Sequence, residues 1–139
     1  MKIDDWLCTA FQKLADGLQA LTGCTCLFYA SVCLVCNLGF SLLGDLSVMN
    51  ICISSGLFAV NCWTLTIARR LNQPGMANPF KSGPWIALTR MFIIYFLIYY
   101  FVLLVRHPDL KNVGCFLERL SFTAFVYFLG CTPKPPGRA

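Results

Sequence analysis

Residues 21–43 read LTGCTCLFYASVCLVCNLGFSLL, an apolar stretch without one charged side chain. A helix rises about 1.5 Å per residue, so roughly 20 mainly apolar residues cross a hydrocarbon core of about 30 Å. Residues 46–68 repeat the pattern, LSVMNICISSGLFAVNCWTLTIA, again without a charge. Residues 85–105, WIALTRMFIIYFLIYYFVLLV, carry Arg90 alone. Three such runs among 139 residues leave little room for an aqueous domain. The chain is therefore expected to be an all-α, polytopic membrane protein.

Working outward, residues 112–131 form the fourth apolar run. Its uninterrupted part, Leu120–Cys131, is short for a span, and reaching full length places Glu118 and Arg119 inside it. Four spans are expected, with three spans plus a re-entrant fourth segment as the alternative. Before the first span, residues 1–20 read as an amphipathic helix. Ile3, Leu7, Phe11, Leu14 and Leu18 recur at helical spacing, with Asp5, Gln12, Lys13 and Asp16 on the other side. Asp4 and Asp5 suit a helix N-terminus, while Trp6 and Phe11 are expected at a membrane interface, so this helix lies on the bilayer.

The connections fit that order. Gly44 and Asp45 are the only residues between the first two runs, which makes them a tight antiparallel hairpin. Arg69–Pro84 holds Pro74-Gly75, Asn78-Pro79 and Gly83-Pro84, all turn signals. His107-Pro108-Asp109 breaks the third helix, and residues 132–139, TPKPPGRA, read as an extended proline-rich tail. With four spans, the N-terminus, the 69–84 loop and the tail share one side, with Lys2, Lys13, Arg69, Arg70, Lys81, Arg90, Lys134 and Arg138. Arg106, Lys111 and Arg119 belong to the other. The positive-inside rule then places both termini on the cytosolic or matrix side.

Composition excludes several classes. Hydrophobic residues make up 58% of the chain and charged residues 12%, against roughly 25% in soluble domains. The net charge of +5 gathers at the ends of apolar runs instead of forming a basic stripe, which argues against nucleic acid. The start, MKIDDW, is too acidic for a secretory signal or a transit peptide. Nine cysteines sit almost entirely in or beside apolar runs, where a thiol packs as a small apolar group.

Few residues suggest chemistry. Glu118 and Arg119 are the sharpest, because charges inside a span face protein or water and mark either an ion path or a contact with a neighbouring helix. They are adjacent, hence about 100° apart on a helix, and each is expected to seek a different partner. Arg90, near the start of its run, is expected to snorkel to the headgroups. Asn37, Asn50 and Asn61 suit interhelical hydrogen bonds, and Cys52 and Gly56 offer a small-residue surface for close helix packing. Cys33 and Cys36 form a CxxC, but a reactive dithiol needs a helix N-terminus or a cation beside it. His107 is the sole histidine, and no phosphate loop, metal-ligand set or catalytic triad is present, so no cofactor is expected.

These features predict a non-catalytic accessory or scaffold subunit of a large multisubunit membrane complex, partnered by lipid and other membrane subunits. A respiratory-chain or ATP-synthase-type complex is the expected setting, in an organellar inner membrane with the mitochondrial one favoured. A homo-oligomeric channel or transporter using Glu118 and Arg119 is the alternative, followed by a thiol oxidoreductase using Cys33 and Cys36.

Overall fold

The computed structural model describes residues 2–44, 46–71, 78–81 and 83–132. Within them it is all-helical: α1 (Lys2–Thr22), α2 (Cys26–Gly44), α3 (Val48–Leu71), α4 (Pro84–Arg106) and α5 (Leu110–Gly130). The last four are long and apolar enough to cross a membrane. The helix bounds differ from the apolar runs read in the sequence by a few residues, for local reasons. The first apolar run does not start a helix at Leu21, because α1 continues to Thr22. Gly23 then closes it at φ 72°, where its N–H bonds the Gln19 carbonyl at 2.8 Å. That left-handed position costs glycine nothing, and it ends the helix.

The fourth run forms one continuous helix. Asp109 starts α5 by accepting the Asn112 N–H at 2.7 Å, a full N-cap. The cap moves the start back to Leu110 and gives α5 a length of about 31 Å at 1.5 Å per residue. At the head of α4, Pro84 occupies the first turn, where a missing N–H costs no hydrogen bond. The proline-rich tail from Pro133 onward, Asp45, and the Pro74-Gly75 turn lie outside the described residues.

The helices take the lateral order α3–α2–α5–α4. α2 and α5 are the central pair and run antiparallel: the Cys26 thiol meets the Cys131 carbonyl at one end, and Asn37 meets the Glu118 carbonyl further along. α3 packs on α2, and α4 packs on α5, while among the described residues α3 and α4 form no comparable packing interface. Most of α3 and more than half of α4 are consequently exposed, and α4 buries little beyond Arg90. The core sits at one end of the central pair, where Ala15, Cys26, Leu27, Ala30, Phe125 and Phe128 are buried together. α1 folds onto that end. Phe11 stacks on Tyr127 with centroids 5.0 Å apart and meets Phe128 edge-on. Gln12 brackets Thr132, donating to its carbonyl at 3.0 Å and accepting from its N–H at 2.9 Å.

Phe11 thus packs against α5, whereas other apolar residues of α1 stay exposed. Its angular position explains the difference. Phe11, Ala15 and Leu18 form one edge of α1 that packs inward, while Ile3, Trp6, Leu14 and Leu21 form a neighbouring edge that stays exposed. Trp6 is 68% exposed.

Candidate functional site

Two groups of charged residues stand out within the helices, and they are built differently. The first gathers where α1, residues 78–81, α4 and α5 meet. Asp4 lies in the first turn of α1, where the helix dipole favours an acid. Its carboxylate accepts from Arg90 at 2.9 Å through one oxygen and from the Tyr127 hydroxyl at 2.9 Å through the other. Both charged side chains are only 4% exposed. Arg90 also donates to the Lys81 carbonyl at 3.1 Å and to the Phe80 carbonyl at 3.4 Å, and its guanidinium lies 5.6 Å from the Tyr127 ring centre.

Those two carbonyls are held in place by Asn78. Its side-chain amide donates to the Leu129 and Cys131 carbonyls at 2.9 and 3.0 Å, filling acceptors left open at the end of α5. Its oxygen accepts the Phe80 N–H at 2.8 Å, which closes the turn toward Arg90. Gly130 makes the approach possible. A β-carbon there would come within 3.3 Å of both the Arg90 guanidinium and the Phe80 carbonyl. The result is a buried ion pair with most of its hydrogen-bonding capacity met; Nε is the Arg90 nitrogen without a partner among the described residues. The pair ties α1 to α4 and α5, and burial pushes the Cys8 thiol on α1 above its ordinary value against the opposing pull of Arg90.

Arg90 therefore does not snorkel. A buried guanidinium needs a counter-charge, and docked α1 brings one within reach. The sequence held a signal for this. Of its six acidic residues, only Asp4, Asp5 and Asp16 fall on the side of the bundle where α4 begins. Tyr127 and Asn78 carried no such signal, since their roles depend on where α5 ends against a loop far away in sequence.

The second group is Glu118 and Arg119. They lie more than two turns from the Leu110 end of α5 and about three turns from Gly130. The Arg119 guanidinium is 3.9 Å from the Glu118 carboxylate, an ion pair beyond hydrogen-bond distance. It also lies 5.5 Å from the ring centre of Tyr100 on α4. Among the described residues neither charged side chain makes a hydrogen bond, and the Arg119 Nε–H is buried without a partner. The side chains remain 38% and 19% exposed for Arg119 and Glu118. At about 100° per residue, Glu118 stands on the side of α5 opposite Tyr127, away from α1.

The expected polar contacts divide. Asn37 donates to the Glu118 carbonyl at 2.8 Å and so stitches α2 to α5. Asn50 donates to the Ser41 carbonyl at 3.1 Å, beside a Ser41–Ser54 hydroxyl pair at 2.7 Å that joins α2 to α3. Asn61 is half-buried without a hydrogen bond among the described residues. Cys52 and Gly56 are exposed on α3, and a β-carbon on Gly56 would meet nothing within 4 Å. The close approach of α2 and α3 runs instead through Ser54, on the opposite side of α3 from that small-residue surface. Cys33 and Cys36 are free thiols two turns into α2, away from the N-terminus that would activate them. No group of His, Cys, Asp and Glu among the described residues is arranged to hold a metal ion.

No protein family, curated protein or solved structure matches this chain.

Proposed function

We propose that the chain is an integral membrane protein with α2–α5 crossing the bilayer and α1 at its surface, and that it serves as a non-catalytic subunit of a membrane assembly. The observation that carries this reading is the Glu118–Arg119 pair. A charge at the centre of a span costs about 2.5–3.5 kcal/mol on insertion scales. Hydrogen bonds or water normally offset that cost, yet these two side chains have neither a bond to another helix nor complete burial. A neighbouring protein surface is the economical way to satisfy them. The single row of helices gives it room, since α3 and α4 leave much of their length uncovered.

The respiratory-chain or ATP-synthase setting, in the mitochondrial inner membrane with both termini in the matrix, is the specific form of this reading brought forward from the sequence. Its test is the native mass in gentle detergent with mass spectrometry of what co-migrates. An assembly of several chains supports the subunit reading, and catalytic subunits within it would name the process. A lone protomer with nothing bound contradicts it. The partial exposure of Arg119 also favours a second reading, a polar path through a small oligomer. In that case Glu118→Gln would change ion flux in reconstituted vesicles while leaving assembly intact.

A further inference from the structure

We propose that the partner covering Glu118 and Arg119 is a second copy of this chain, packed α5 to α5 about a two-fold axis along the membrane normal. The proposal rests on the subunit reading above and names the neighbour. Copies of one sequence insert with one orientation, so a symmetric pair in a bilayer has its axis perpendicular to the membrane. Each residue then has the same depth in both copies. Glu118 and Arg119 differ in height by about 1.5 Å. Glu118 of one copy therefore comes level with Arg119 of the other, and the reverse contact follows by symmetry.

Charge complementarity selects this occupant. An unrelated partner would have to bring its own base and its own acid to the same depth, whereas a second copy supplies both. The pair within one protomer is long at 3.9 Å and leaves both side chains without hydrogen bonds. A reciprocal contact gives each carboxylate a guanidinium from across the interface, with the fork geometry that strengthens such pairs. The surrounding surface is compatible. Cys115, Phe122 and Val126 lie at i, i+7 and i+11 on the strip of α5 between the two charged directions, and all three are half-buried. That strip faces away from α1, and among the described residues α3 and α4 form no comparable packing interface to close it off.

Charge reversal with reciprocal rescue tests the proposal on the full chain in mild detergent. Two differently tagged wild-type copies should co-purify. Glu118→Arg alone and Arg119→Glu alone should each weaken self-association by roughly 30-fold or more, the effect of losing close charge pairs at an interface. Co-expressing the Glu118→Arg chain with the Arg119→Glu chain should restore pairing between the two. The Glu118→Leu/Arg119→Leu double variant removes both charges without reversing either and should insert normally as a single copy. Self-association unchanged in the Leu double variant, or no rescue in the mixed pair, overturns the second-copy proposal. A native complex containing one copy and other proteins, lost on Arg119→Glu, overturns it while leaving the subunit reading standing. A lone wild-type protomer overturns both.

Discussion

Asp4 and Arg90 are 86 positions apart in sequence, whereas Glu118 and Arg119 are neighbours, yet the distant pair is the finished one. Asp4 and Arg90 meet at 2.9 Å with Tyr127, Phe80 and Lys81 filling in around them. Glu118 and Arg119 reach only 3.9 Å, because neighbours on a helix diverge by about 100°. Adjacency in sequence thus works against pairing here, while long-range docking achieves it. The comparison also separates roles. The first pair closes the fold by tying α1 to α4 and α5, and the second leaves the protomer with charge directed outward.

Asp4→Ala should have the largest effect on this contrast. It strands Arg90 in a buried site, and breaking such a pair costs about 3–5 kcal/mol. Unfolding in detergent should shift accordingly, and limited proteolysis should release α1. Asp4→Ala combined with Arg90→Met should recover most of the loss, because no isolated charge remains. A double variant as unstable as the single one would mean that the docking surface suffers for another reason.

Phe11→Ala comes next, at about 2 kcal/mol, since the side chain is half-buried and loses its stack on Tyr127. Accelerated hydrogen exchange confined to α1 would check it. Tyr127→Phe should cost about 1–2 kcal/mol by leaving one Asp4 oxygen without its donor. Asn37→Leu should be the mildest, about 0.6 kcal/mol, a typical value for an interhelical hydrogen bond inside a membrane. A loss from Asn37→Leu exceeding that of Tyr127→Phe would reverse the ranking and make the middle of α5, not its end, the more tightly held region.

How legible each region was in the sequence follows the same division. The helices were readable because charge-free runs and turn residues such as Gly83-Pro84 and His107-Pro108-Asp109 act locally. Glu118 and Arg119 were visible for the same reason, as charges interrupting an apolar run. For the Asp4–Arg90–Tyr127 tie the sequence offered only the acids on the Arg90 side of the bundle; the pairing itself depends on α1 folding back over the end of α5, a tertiary event that helical periodicity does not encode. Phe11 shows the limit most clearly. Its place on the apolar side of α1 was evident, but whether that side meets lipid or protein was decided by Tyr127 and Phe128.

The most direct measurement compares Arg90→Met with Arg119→Met by equilibrium unfolding of the dilute, single-copy protein in detergent. The account predicts a loss of about 3 kcal/mol or more for Arg90→Met and less than about 1 kcal/mol for Arg119→Met. Equal losses, or a larger one at Arg119, would contradict it, because the second pair would then hold the protomer together just as the first does.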